Sequence, residues 1–277
     1  LNTNQASKAM HILDEMHSNG IPRSTVLYNM VIGVHAAHGA MPEVAELMEC
    51  MQQDKCEPDI ITYSTVVKGH CVKGDLDSAL DALHKAQQSG IVLDAIVYSS
   101  IFYGCYRHNR TDLVDELVSE VRSRCLSPSS FTLSIIVKMY GSQGRLNRAF
   151  EVVEALGRQP TGTDARVTTS LLKECVRNSD VDRAANIFRL MLPAGGPDAK
   201  SFWLLISCCV RCGESLRAHG FITAWCASHR SKEDWKDGLI EQLLGTLIDG
   251  QENQESEALA LLEQIRAFEP DSSCMAA

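Results

Sequence analysis

The chain has 277 residues, 45% of them hydrophobic, and its 35 acidic against 26 basic side chains give a formal net charge of −9. The apolar fraction is ample for a buried seam, but no run of about 18 uncharged apolar residues occurs, so membrane insertion is not expected. An acidic total argues against sequence-blind nucleic-acid binding, which needs a basic surface overall. The 11 cysteines show no framework spacing and read as buried free thiols in a reducing compartment rather than a secreted disulfide scaffold.

Residues 1–24 have the form of half a repeating unit. Ala9, Ile12, Leu13 and Met16 fall at helical spacing within 6–17, and Gly20-Ile21-Pro22 closes the helix. The first helix that should precede it is missing and the chain begins at Leu1. The expectation is a piece of a longer protein, with any targeting peptide outside it.

Five units follow, at 25–59, 60–94, 95–129, 130–164 and 165–198. The stretch 60–94 is the clearest. An apolar first helix covers Tyr63–Cys71, and a second carries Leu76, Ala79, Leu80 and Leu83 on one face. Between them Gly74 ends the first helix and Asp75 caps the second. Neither helix is long enough to be stable alone, and each has an apolar face that needs cover.

Offsetting the sequence by 35 residues aligns the inter-helix turn at Gly39, Gly74, Asn109, Gly144, Ser179 and, one residue short, Gly213. Five positions further on stand Val44, Ala79, Val114, Ala149, Ala184 and Ala218, small or β-branched as close helix packing requires. The pattern predicts an all-α fold, an α-solenoid of helix-turn-helix 35-residue repeats stacked on one another. Pro58 and Pro128 stop second helices ahead of the next unit.

From residue 199 the register decays. Segment 199–230 is expected to be a degenerate repeat, pairing Phe202–Arg211 with Glu214–Ser228 and carrying Trp203 and Trp225. Segment 231–277 is expected to supply capping helices at Trp235–Asp249 and Glu257–Phe268, with a frayed tail.

Charge is segregated by helix. The first helices carry Lys68, Lys73, Arg107, Lys138, Lys173, Arg177 and Arg211 against the single acid Glu174, while the acids sit mostly in second helices and turns. A mildly basic face on an acidic body is the expectation. Cys209-x-x-Cys212 with Cys226-x-x-His229 has zinc-site spacing, but the two pairs fall at opposite ends of a helix pair, about 20 Å apart at 1.5 Å per residue. No metal site and no cofactor are therefore expected. His35, His38, His70 and His108 lie on or at the ends of first helices, with no acid or nucleophile at workable spacing, and are read as surface or groove polar groups. With no Gly-rich phosphate loop and no deaminase pattern, the chain is not read as an enzyme, and no small-molecule substrate is expected.

Val26-Leu27-Tyr28-Asn29, Thr62-Tyr63-Ser64, Val97-Tyr98-Ser99, Asp77-Ser78-Ala79-Leu80 and Asn147-Arg148-Ala149-Phe150, with the unit ends Glu57-Pro58-Asp59 and Pro197-Asp198, resemble the pentatricopeptide repeat family of the plain 35-residue type. The resemblance covers about residues 1–230 and implies a right-handed superhelix that binds single-stranded RNA, one base per repeat. It implies that two residues per unit read a base as a pair: Asn29 with Asp59, Ser64 with Asp94, Ser99 with Ser129, Ser134 with Asp164, and Thr169 with Asp198. By the family's pattern Asn with Asp implies U, Ser or Thr with Asp implies G, and Ser with Ser leans to A. The implied target is 5′-UG(A)GG-3′, with the N-terminus toward the 5′ end.

In the same pattern Val26, Ile61, Ile96 and Phe131 take the place of the residue that sandwiches the base, and Arg166 and Lys200 depart from it. Lys73, Arg107, Arg177 and Arg211 are the residues implied to approach phosphates. Trp203 stands where a small polar residue belongs, so the sixth unit is assigned no base. The resemblance places the protein in a mitochondrion or chloroplast. Each short polar residue is also an ordinary helix cap. The competing reading is a protein scaffold within a large organellar assembly, such as a ribosome or a membrane complex, without base reading.

Overall fold

Two backbone reversals per 35 residues set the architecture. The computed structural model describes residues 3–156, 164–191, 199–214, 217, 218 and 220–222, and among these every regular element is helical. In chain order they are α1 (Thr3–Ser18), α2 (Thr25–Ala37), α3 (Met41–Gln53), α4 (Ile60–Lys73), α5 (Leu76–Gln88), α6 (Ala95–Arg107), a 3-10 turn (Thr111–Leu113) leading into α7 (Val114–Ser123), α8 (Ser130–Ser142), α9 (Leu146–Ala155), α10 (Ala165–Arg177), α11 (Val181–Met191) and α12 (Ala199–Arg211).

The turn between paired helices closes on a left-handed residue each time: φ is 71° at Gly39, 88° at Gly74, 56° at Asn109, 71° at Gly144, 58° at Ser179 and 75° at Gly213. A second left-handed position follows α1, α3, α5 and α7, at Gly20, Lys55, Gly90 and Cys125. Both positions recur because a helix that must stop and reverse satisfies its last carbonyls best through a residue of positive φ. Gly74 is required for a further reason. A Cβ there would lie 2.7 Å from the His108 ring of the following repeat.

The chain forms two compact units, 1–139 and 140–277. In the first, α2 packs on α4 and α4 on α6, while α3 and α5 each pack against the first helices on either side. Tyr28, Ile32, Val67, Leu83, Tyr98 and Phe102 are fully enclosed in this core. First helices approach each other closely at glycine. A methyl on Gly69 would sit 2.9 Å from Ala36 Cβ, and one on Gly104 would sit 2.9 Å from Cys71 Cβ. In the second unit α10 packs on α11 and α12, and Phe188 meets Phe202 and Phe221 at centroid distances of 5.9 and 5.1 Å.

Val44, Ala79, Val114, Ala149, Ala184 and Ala218 are all buried, as their position five residues beyond the turn requires. The cysteines divide more widely than the sequence suggests. Cys71, Cys105, Cys175, Cys208 and Cys209 are buried, but Cys125 and Cys212 are exposed because they occupy helix-terminal turns. Burial pushes the Cys71, Cys105, Cys175 and Cys209 thiols up to about 12. Trp225, Cys226, His229, Trp235–Asp249 and Glu257–Phe268 lie outside the described residues.

Candidate nucleic-acid interface

The first helices stack on one another, so each keeps one face outward, and the residues at the head of that face recur in step. Val26, Ile61, Ile96 and Phe131 are 66%, 58%, 72% and 44% exposed. Large apolar side chains in water at one fixed interval are not an economy of packing, since ample buried positions surround them. Arg166, the next in the series, is exposed as well.

The polar pairs sit immediately beside these residues, and the caps of the first helices hold them. Asp59 caps α4, accepting from the Thr62 amide at 2.9 Å. Its Oδ1 also accepts from Asn29 Nδ2 at 3.0 Å, and Asn29 Oδ1 accepts from the Thr62 hydroxyl at 2.6 Å. Asn29 and Asp59 are thus one hydrogen-bonded group, with Thr62 as its keystone. These bonds use one of the two amide N–H groups of Asn29. Burial alone would raise Asp59, but the bonds from Thr62 and Asn29 hold it below its ordinary value, so the acceptor is charged.

In repeat 95–129 Thr132 plays the same bridging part, with a different outcome. The Ser99 hydroxyl donates to the Ala95 carbonyl at 2.7 Å. Thr132 Oγ1 stands 2.6 Å from Ser99 Oγ and 3.0 Å from Ser129 Oγ. A hydroxyl has one proton, so the order that makes every contact a hydrogen bond runs Ser129 to Thr132 to Ser99 to Ala95. In that order all three protons are used within the cluster.

The remaining pairs are less closely joined. Ser64 Oγ donates to the Ile60 carbonyl, while Asp94 caps α6 through the Ile96 and Val97 amides at 3.0 and 3.2 Å. Ser134 is buried, 3% exposed, and donates to the Phe131 carbonyl at 2.7 Å. Asp164 caps α10 through the Arg166 amide at 3.1 Å, and Thr169 on α10 is half-buried. Asp198 lies outside the described residues.

Basic groups lie further along the same helices. Lys68, Lys73, Arg107, Lys173, Arg177 and Arg211 are exposed and Lys138 is half-buried. The one acid of the set, Glu174, is buried, with Oε2 3.3 Å from Arg177 Nη1, so it does not oppose the basic face from solvent. Arg211 donates to the Val176 carbonyl at 3.3 Å. Among the histidines, His38 and His108 are exposed and His70 is half-buried, but His35 is buried at a turn of α2 that faces the core, against the surface expectation. Among the described residues no three metal-ligating side chains converge.

Sequence reasoning missed Thr62, Thr132, Tyr103 and Tyr106. The two threonines carry a signal, since Asp59-Ile60-Ile61-Thr62 and Ser129-Ser130-Phe131-Thr132 are the cap and third helical residue of a capping-box spacing. Tyr103 falls in register with Lys68, Lys138 and Lys173, an aromatic within a basic column.

Paired helices stacked at a fixed interval, with one class of helix presenting a recurrent site, define a helical-repeat protein of the α-solenoid class. Family models agree: the PPR repeat family matches residues 23–72, the PPR repeat matches 61–91, and the pentatricopeptide repeat domain matches 82–143. Residues 23–143 thus carry matches to pentatricopeptide repeat models. Its fold is similar to the crystal structure of the pentatricopeptide repeat protein PPR10 from maize, at 17% identity and a TM-score of 0.56, over 95% of this chain and 38% of that one. The structure of PPR10 in complex with an 18-nt psaJ RNA element matches at 17% identity and a TM-score of 0.44, over 98% and 44% of the two chains. The chain thus spans less than half the length of these two structures. A search of curated proteins found none that matches.

Proposed function

We propose that the chain binds single-stranded RNA without catalysis of its own, each of the five units 25–59 to 165–198 taking one base, on a target of the form 5′-UG(A)GG-3′. The observation that carries this reading is the recurrence of an exposed apolar residue beside a polar pair at the head of successive first helices. An unpaired base needs both, a flat apolar surface to stack on and hydrogen-bonding groups for its edge. The Asn29–Asp59–Thr62 group is already assembled, with Thr62 buried and the pair half-buried, so binding orders little that is not ordered already. Exposed cations on the same helices supply attraction to phosphates. The setting we infer is a mitochondrion or chloroplast, where the bound segment is protected, processed or translated.

The net charge of −9 and the internal engagement of Arg177 and Arg211 favour a second reading, a scaffold within a large organellar assembly whose exposed apolar column meets protein. Fluorescence anisotropy separates the two. Labelled RNA containing UGAGG should bind more tightly than a scrambled strand, at both low and moderate salt. Equal binding to both strands, or none, would remove base reading and leave the scaffold.

A further inference from the structure

Tyr103 on α6 and Phe131 on α8 are each 44% exposed, with ring centroids 6.0 Å apart and planes inclined by 40°. Tyr103 stands two helical turns beyond Ile96, on the same outward face. Tyr106, also 44% exposed, lies one turn further, and Lys138 Nζ is 5.6 Å from its ring centroid. Arg107 is exposed beside them. Three solvent-facing aromatic rings beside two cations recur in no other repeat described. In the column of Tyr103 the other repeats carry Gly33, Lys68, Lys138 and Lys173.

We propose that Tyr103 and Phe131 form a stacking site that holds the base at the third repeat whatever its identity, with Lys138 and Arg107 beside it for the flanking phosphate. The inference rests on the RNA reading above and assigns this repeat a different task from its neighbours. Its polar pair, Ser99 and Ser129, is tied inward through Thr132 and the Ala95 carbonyl and lacks the carboxylate that every other pair sets against a base edge, so it discriminates poorly. The aromatic surface compensates, because every base has a π-face and stacking is tolerant of sequence. The cations favour a polyanion on this surface over an apolar peptide. A firm but unselective centre would anchor the strand while the flanking repeats read it.

The test uses the whole chain and five RNAs, identical except at the third position of the target, which carries A, C, G, U or an abasic sugar. The four bases should bind within about threefold of one another, and the abasic strand roughly tenfold more weakly. Tyr103→Ala should lose that tenfold on every base-containing strand and cease to distinguish the abasic one, while Tyr103→Phe should retain both. Unchanged binding by Tyr103→Ala, or a preference of more than about threefold for one base, would overturn the stacking site and leave the RNA reading intact. If none of the five strands binds, the RNA reading fails first and the ring cluster is better assigned to a protein partner.

Discussion

Lys55 and Cys125 hold φ of 57° and 52° where the equivalent residues one repeat away are Gly20 and Gly90. A side chain in the left-handed region crowds its own carbonyl, and the cost is greatest for residues that cannot hydrogen-bond locally. Cys125→Gly should therefore stabilise the fold by about 0.5–1 kcal/mol, and Asn109→Gly by less, since Asn tolerates that conformation. Thermal melts of the two variants check the order. Charge acts at the same scale. Arg23 holds Asp54 through Nη2 at 2.7 Å and Tyr28 adds its hydroxyl at 2.8 Å. The Arg23 hydrogen bond keeps the Asp54 carboxyl below its ordinary value of about 3.9. A carboxylate so depressed contributes stability that is fully present above that ordinary value and is lost as pH falls through the lower folded one. The stability difference between wild type and Arg23→Met should be complete at pH 7 and shrink below about pH 4, which denaturation at a series of pH values would show.

At the scale of the helix, the two glycines of matching type make opposite predictions. Gly33 lies inside α2 with nothing within 4 Å of an added Cβ, so Gly33→Ala should gain about 1 kcal/mol from helix propensity. Gly104 lies inside α6, where the added methyl meets Cys71 Cβ and Leu76 Cδ2 at 2.9 Å each. Gly104→Ala should force α4 and α6 apart, at a net cost of about 1–2 kcal/mol against the same propensity gain. Chemical denaturation of both variants would decide the matter; a loss in each would mean that the space around Gly33 is not open.

The helices themselves were legible because apolar spacing, Gly turns and Asp caps all act within one repeat. What was hidden depends on the neighbouring repeat. His35 turns inward, and Glu174 is buried so closely against Gly141 that a Cβ there would lie 2.5 Å from Glu174 Cγ. The bridging of Asn29 to Asp59 by Thr62 likewise joins two repeats, and no pattern within one of them reveals it. The exposed apolar column could be read in advance as residues, but its accessibility is a property of how the first helices stack.

For the whole molecule, the net charge hides how the charges are distributed. Acids such as Glu43, Glu46, Asp77, Asp81 and Asp182 are exposed on second helices, whereas the exposed charges of the first helices are basic. RNA affinity should therefore fall with salt at a moderate slope, roughly −3 in log K against log salt if about four phosphates are neutralised. A slope near zero would separate the cations from binding.

Base reading itself is tested most directly at Asn29, whose amide shares Asp59 and Thr62 and whose replacement by serine leaves the pair formally intact. Competition between strands that differ only in U or G at the first position should show wild type preferring U and Asn29→Ser preferring G. A preference that stays with U, or an equal loss on both strands, would contradict the account.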